Sequence, residues 1–248
     1  FAKYAFNKSH AAAYAVVAYQ TAYLKYYYPA YYLAALMTSI RSANTEVAEY
    51  LLLSRQLQIP IEKPNVQEGS AEFTVRNGKI LYSLSAIRDV GDSVVEEIVR
   101  LRSEKPFRDL KDFITRMSCK GLSKTAVEAL IKAGALDCMG HTRKPMMEQY
   151  PSIRNQIQYE KKNGTIGQTS LLSLLSHNES AKTDIEYSKA DLLSYEKEVL
   201  GVYLSGHPLD QYYDEWISTI SAKSSDFIFI QGECHVKDGE KATIGGII

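Results

Sequence analysis

No glycine occurs before Gly69, and Pro29 is the only proline before Pro60. Glycine and proline are the strongest punctuators of regular structure, so a stretch this long without them is confined to helices. Asn7-Lys8-Ser9-His10 runs into Ala11-Ala12-Ala13, which sets good capping residues ahead of the strongest helix former. Val16, Tyr19, Gln20, Tyr23 and Tyr27 then recur at helical spacing and make one large face. Pro29 interrupts this helix, and a second is predicted over residues 30 to about 39. A third is predicted from 44 or 45 to about 57, with Val47, Tyr50, Leu51, Ser54 and Leu57 on one side. The chain holds 18 tyrosines against 7 phenylalanines, and nine of the tyrosines lie at or before Tyr32. At these positions they are expected to be core.

Beyond residue 60 the pattern breaks up. Residues 60–69 read as a linker. Residues 71–75 and 79–84 alternate around Asn77-Gly78, a two-residue hairpin signal. Residues 93–102 are amphipathic through Val94, Val95, Ile98, Val99 and Leu101, and helices over 109–117 and 123–133 follow. Residues 140–190 are the least regular part and read as an exposed connector, with an apolar knot at Leu171-Leu172-Ser173-Leu174-Leu175. A helix is predicted over 190–200. Gly206-His207-Pro208 breaks the chain, a short helix is predicted over 211–217, and the remainder reads as β. The chain starts at Phe1 without an initiator Met and closes on a strand-like run over 242–248. It is therefore expected to be an internal piece of something longer.

Several chemistries are excluded at this level. Cys119, Cys138 and Cys234 are widely spaced, so neither a disulfide framework nor a CxxC metal knuckle is present. No apolar run reaches the roughly 18 residues of a membrane helix. There is no phosphate-binding P-loop, no GxSxG nucleophile elbow and no D-x-D pair in a strand context, hence no two-metal site. Cys234-His235 lacks partners for zinc. Lys plus Arg equals Asp plus Glu, 29 each, which taken whole argues against a protein that merely coats nucleic acid. The balance is uneven, however. Residues 1–41 hold Lys3, Lys8, Lys25 and Arg41 and no acid. Residues 79–144 hold thirteen basic and nine acidic residues, and residues 178–248 hold six basic and thirteen acidic ones. A chain polarised in this way can meet a polyanion with its basic segments.

Three constellations carry chemistry. At the first predicted helix start, Lys8, Ser9 and His10 offer an ammonium, a hydroxyl and an imidazole beside free helix amides, a donor set suited to phosphate. The competing reading is a plain cap with His10 on the surface. In the second, Ser85-Ala86-Ile87-Arg88-Asp89-Val90-Gly91-Asp92-Ser93 reads as a short helix, a tight glycine hairpin and a second helix. That is a helix-hairpin-helix, whose hairpin amides hold a DNA phosphate without reading a base. Residues 109–136 look like a second copy, with the hairpin at Lys120-Gly121-Leu122-Ser123. Arg88, Val90, Gly91, Asp92, Lys120, Gly121 and Lys124 are the candidate DNA contacts, with Arg102 a lesser one. The competing reading is a helical bundle in which both glycines are caps. The third is Gln168-Thr169-Ser170-Leu171-Leu172, a short linear plug for an apolar pocket on a partner, or else one turn of a docked helix.

Tyr4-Ala5-Phe6-Asn7-Lys8-Ser9-His10-Ala11-Ala12-Ala13-Tyr14, with Tyr19-Gln20-Thr21-Ala22-Tyr23-Leu24-Lys25 and Tyr28-Pro29 after it, closely resembles bacterial DNA polymerase III alpha subunits near the end of the fingers. Leu84 to Gly91 and Ala129 to Asp137 look like that family's tandem helix-hairpin-helix. Glu196 to Leu209 resembles the approach to its OB fold, whose first strand would be residues 242–248. The resemblance covers essentially the whole chain.

The resemblance implies a mainly α chain in four parts: the end of the fingers over 1–60, a tandem helix-hairpin-helix DNA-binding domain over 61–141, a connector with a clamp-binding motif and helix over 142–220, and a truncated β start of an OB fold over 221–248. It implies that Lys8, Ser9 and His10 lie close to the incoming nucleotide. It implies that Gln168, Thr169, Ser170, Leu171 and Leu172 bind the sliding clamp, with Leu172 where the family usually has phenylalanine. Tyr31-Tyr32 stands where the family more often has an acidic residue and phenylalanine. DNA-directed DNA synthesis with Mg²⁺ or Mn²⁺ is the implied activity, the metals being held by palm aspartates outside this chain. The implied partners are primer-template DNA, an incoming dNTP, the sliding clamp and other subunits of the polymerase III holoenzyme, in a bacterial cytoplasm at the nucleoid and without a membrane. Two other readings stay open: a non-catalytic DNA-binding and clamp-docking accessory or paralogue, and a helical scaffold unrelated to DNA.

Overall fold

The computed structural model describes residues 8–41, 43–118, 122–162, 185–227 and 235–246. It opens with α1 (Lys8–Tyr27), α2 (Pro29–Ser39) and α3 (Asn44–Gln56), all three in the predicted places. Pro29 stands in the first turn of α2, where its missing N–H has no helical acceptor to lose. Leu33, Ala34 and Met37 of α2 and Val47 and Leu51 of α3 enter the core.

The expectation that the early tyrosines are core is overturned for Tyr14, Tyr19, Tyr23, Tyr26, Tyr27, Tyr28 and Tyr31, which are exposed; Tyr32 is half-buried against the core, and Tyr4 lies outside the described residues. No residue of α1 is buried, and Tyr19 and Tyr26 are 71% and 78% exposed. Along α1 the rings rest on one another instead, with Tyr23 and Tyr27 4.5 Å apart. Helical spacing dictates that these rings share a side. It does not provide a second surface to cover them.

The hairpin forms as predicted. Strands β2 (Thr74–Arg76) and β3 (Lys79–Leu81) are antiparallel, with Val75 opposite Ile80. Asn77 and Gly78 turn the chain at φ 51° and 77°, the left-handed pair that a two-residue hairpin requires. The expected linker holds a strand, β1 (Ile61–Glu62), which pairs parallel to β3 and puts β3 at the centre of the sheet. Two residues carry no periodicity of their own, so only the partner strand reveals β1. Lys79 reaches across to Glu62 at 2.8 Å.

A helical layer follows. A 3₁₀ turn at Leu84–Ala86 leads to α4 (Asp92–Glu104), α5 (Leu110–Met117) and α6 (Lys124–Lys132). Asp109 caps α5 by accepting from Asp112 N at 2.7 Å, and Ser123 caps α6 by accepting from Ala126 N at 3.0 Å. The inward residues Val95, Ile98, Phe113, Leu130 and Ile131 join the hairpin in one core.

The start of the expected irregular connector is instead a helix, α7 (Arg143–Lys162). Pro151 lies inside it and removes one helical hydrogen bond. Met146, Tyr150 and Ile157, at helical spacing, are all buried, and burying a large apolar side chain is worth about 1.5–3 kcal/mol. Three such groups outweigh the lost bond. Glu186 then caps α7 from far along the chain, accepting from Arg143 N at 2.9 Å and Lys144 N at 3.1 Å. Helix α8 (Lys189–Leu200) stops at Gly201, which is left-handed at φ 74°.

Residues 205–246 form a separate compact unit. His207 caps a 3₁₀ turn at Pro208–Tyr212, and α9 (Tyr213–Thr219) continues from it. Among the described residues after 220 there is no strand, and residues 228–234 and 247–248 of the stretch expected to be β lie outside the described residues. Among the described residues, 242–246 have no strand partner. Ser221 N donates to Thr243 O at 3.0 Å, and the Trp216 indole donates to Gly245 O at 3.0 Å. A Cβ on Gly245 would stand 2.7 Å from that indole nitrogen.

Candidate nucleic-acid interface

The first hairpin is built from the core outward. Ser83 Oγ accepts from Ala86 N at 3.2 Å and donates to Ala71 O at 2.8 Å, which fastens the 3₁₀ turn to the sheet region. Ile87 and Val90 are buried, and Val90 N donates to Ile87 O at 3.2 Å. The buried Val90 side chain therefore anchors the hairpin. Arg88 N donates to Val199 O at 2.8 Å, tying the turn to α8 and leaving the Arg88 side chain exposed.

The left-handed residue of this turn is Asp89, at φ 65°, not the glycine. Gly91 is extended, at φ −77° and ψ 157°, and a Cβ there would meet nothing within 4 Å. Neither backbone conformation nor crowding inside the chain asks for glycine at 91. Its absent side chain leaves the start of α4 bare: Val94 N donates back to Gly91 O at 3.0 Å, and the Asp92 and Ser93 amides before it have no acceptor within the helix. Asp92, the first residue of α4, lends its carboxylate to Arg41 at 2.7 Å. That pairing offsets a negative charge which would otherwise oppose an anion at this helix start.

In the second hairpin Lys120 and Gly121 lie outside the described residues. Its flanks are described: Met117 is buried at the end of α5, and Ser123 caps α6. Lys124 is 60% exposed on the first turn of α6, with Glu128 at 3.5 Å. Arg102 does not belong to either hairpin. Its guanidinium donates to Val66 O at 2.9 Å and Glu68 O at 3.3 Å, and burial lowers its pKa. Its work is to hold residues 66–68 against α4.

Elsewhere the predicted sites stand apart from these hairpins. Lys8, Ser9 and His10 are exposed on the first turn of α1, and the His10 ring packs on Tyr14 at 4.5 Å. Gln168, Thr169, Ser170, Leu171 and Leu172 all lie outside the described residues. Among the described residues no group of three or more His, Cys, Asp or Glu is placed to hold a metal ion. No described helix is long and apolar enough to cross a membrane.

The residue that sequence reading missed is Arg143, 3% exposed, which ties the second helical pair to α8. Its guanidinium meets Asp137 Oδ2 at 3.0 Å and donates to Lys132 O at 3.0 Å. A lone arginine between Thr142 and Lys144 carries no pattern that would have marked it as buried.

Comparison with known proteins agrees with this geometry. Residues 58–146 match the family described as the helix-hairpin-helix motif. The whole chain is 37% identical, over 257 aligned residues, to the DNA polymerase III subunit alpha of Campylobacter jejuni. It is 38% identical to the subunit of the same name from Borreliella burgdorferi and 39% to that of Thermus aquaticus, over 86% of this chain in each case. It spans 21%, 19% and 17% of the length of these three relatives, so the likeness is to about a fifth of each.

Proposed function

Because this chain belongs to the DNA polymerase III alpha-subunit family, we propose that it grips the backbone of duplex DNA for a bacterial replicative polymerase. The observation that carries this reading is Gly91. It needs no positive φ and would crowd nothing in its own chain, so its missing side chain serves an outside partner. A phosphate oxygen can approach the bare amides at the start of α4, and the second hairpin would repeat the contact on the other strand. Arg88, Asp92 (through its backbone), Lys120, Gly121 and Lys124 complete the proposed contacts, with Val90 holding the first hairpin in place.

The finer roles follow the same resemblance. Lys8, Ser9 and His10 would lie near the triphosphate of an incoming dNTP. Gln168 to Leu172 would plug the sliding clamp, and other holoenzyme subunits would assemble around the full polymerase in the bacterial cytoplasm. DNA-directed DNA synthesis would use Mg²⁺ or Mn²⁺ held by residues outside this chain. Phosphate contacts that read no base are individually weak, and a clamp tether raises their effective concentration, so together they would yield processive synthesis.

The test is fluorescence anisotropy of a labelled DNA duplex with this chain at several salt concentrations. Affinity should fall steeply with salt, by a log–log slope of about 0.9 per phosphate contact. Gly91→Val, which fits the chain's own backbone, should keep the wild-type melting temperature and weaken binding by roughly tenfold, a cost near 1.4 kcal/mol. Salt-insensitive or absent binding by the wild-type chain would favour the scaffold reading. Duplex binding without any template-directed synthesis in the complete protein would favour the accessory reading.

A further inference from the structure

Arg41 stands in the turn after α2, outside the residues that match the helix-hairpin-helix family. It reaches the first hairpin from 51 positions away, where its Nη2 donates to Asp92 Oδ2 at 2.7 Å. The turn that carries it is fixed by the core. Met37 is buried, and Thr38 Oγ1 donates to Ala34 O at 2.8 Å and accepts from Phe73 N at 3.0 Å, which ties the end of α2 to the chain just before β2. Arg41 N in turn donates to Thr38 O at 3.4 Å. The guanidinium is thus delivered to the start of α4 by a different part of the fold.

The pair is a poor brace. Its side chains are 32% and 52% exposed, and an ion pair this open to water adds little stability. Its place is more informative. Asp92 opens α4 directly after Gly91, where a Cβ would meet nothing within 4 Å. A phosphate drawn to the Asp92 and Ser93 amides meets the Asp92 carboxylate at the same helix start, and the two negative charges repel. Arg41 sits on that carboxylate and cancels its charge. The contact engages one of the five N–H donors of a planar fork. The same guanidinium can therefore hold Asp92 through one nitrogen and phosphate oxygens through others, a bridge that a lysine point charge makes less well.

We propose that Arg41 is a phosphate contact of the first hairpin, aimed by Asp92, so that the DNA-gripping surface extends from the helix-hairpin-helix onto the turn after α2. This rests on the reading of that hairpin as duplex-binding. Asp92 then serves the site twice, through its backbone amide and through a carboxylate that positions Arg41. The first hairpin carries two arginines in this arrangement, Arg88 from its own turn and Arg41 from outside the motif.

The experiment is a salt titration of duplex binding by the 248-residue chain, read by anisotropy, with melting temperatures alongside. The proteins are the wild type, Arg41→Ala, Arg41→Lys, the double variant Arg41→Ala with Asp92→Asn, and Gly91→Val as the reference for a damaged hairpin. Arg41→Ala should raise Kd about fivefold and lower the log–log salt slope by about 0.9, one phosphate contact. Arg41→Lys should keep the slope and lose about twofold in affinity, because a point charge replaces a fork. The double variant should stay as weak as Arg41→Ala, since removing the carboxylate does not restore a lost contact. If the double variant regains wild-type Kd and slope, Arg41 only neutralises Asp92 and the proposal is overturned. If Arg41→Ala lowers the melting temperature, Arg41→Gln is compared with Arg41→Lys: loss of slope in the glutamine variant alone supports the proposal, and equal slopes overturn it. An Arg41→Ala chain with wild-type Kd and slope, while Gly91→Val is weakened, overturns the role of Arg41 and leaves the hairpin reading intact. A wild-type chain that does not bind duplex overturns both.

Discussion

Arg143 and Glu196 meet at 3.6 Å with their side chains 3% and 0% exposed, so the start of α7 and the middle of α8 are joined by two charges withdrawn from water. Desolvation of such a pair can exceed its Coulomb gain unless the remaining polar atoms are satisfied. Here they are. Arg143 Nε donates to Asp137 at 3.1 Å, its Nη1 donates to Lys132 O at 3.0 Å, and Glu196 Oε2 accepts from Leu204 N at 3.0 Å. One guanidinium thus fastens the end of α6, the turn after it and α8 to α7.

Removing one member of the pair should be worse than removing both. Arg143→Ala leaves Glu196 buried without its cation, and the expected loss of stability is about 3–5 kcal/mol. The double change Arg143→Met with Glu196→Leu should cost clearly less than the sum of the single changes. Urea unfolding of the four proteins checks this, and simple additivity of the two single effects would refute it.

Two glycines should respond oppositely to alanine. Gly134 is left-handed at φ 76°, and a Cβ there would overlap the Arg143 guanidinium and stand 2.8 Å from Asp137 Oδ2. Gly134→Ala should therefore cost about 2 kcal/mol or more, through backbone strain and displacement of the buried arginine. Gly91→Ala meets nothing within 4 Å and should stay within about 0.5 kcal/mol of wild type. Denaturant midpoints decide it, and equal effects at the two sites would contradict the account.

Tyr82 should make the fold sensitive to alkali. Its phenol is buried, donates to Leu200 O at 3.3 Å, and has its pKa raised by burial. In the unfolded chain a tyrosine ionises near pH 10. The folded state holds Tyr82 neutral beyond that, so its contribution is fully present below about pH 10 and is lost as pH rises toward the higher folded value. Tyr82→Phe should lose about 1 kcal/mol or less at pH 7, the net worth of one hydrogen bond. Its stability should then fall less than that of the wild type between pH 9 and about 11. Thermal melts at these pH values test it, and parallel curves for the two proteins would rule out Tyr82 as a source of the alkaline loss.

The tyrosines of α1 should be dispensable to this chain's own stability. Tyr19 and Tyr26 are largely exposed. Tyr19→Ser and Tyr26→Ser should each change stability by no more than about 0.5 kcal/mol, the ordinary range for surface positions. A loss of several kcal/mol in urea unfolding would mean that another element covers them.

What the sequence determines about this protein is what is decided within a few residues. Helices α2 to α6 and α8 start and stop near their caps and breaks: Pro29 opens α2, Asp109 and Ser123 cap α5 and α6, and Gly201 ends α8. The Asn77-Gly78 hairpin needs only its own two dihedral angles. The first helix-hairpin-helix, with Gly91 at its centre, is legible for the same reason. Tertiary structure alone decided what depends on a partner distant in the chain. It left the α1 tyrosines uncovered, and it made β1 a strand by supplying β3. It carried α7 through Pro151 by burying Met146, Tyr150 and Ile157, joined Arg143 to Glu196, and set Arg154 beside Ser118 and Leu122. Burial and ion pairing are properties of two surfaces at once, and a local pattern describes only one of them.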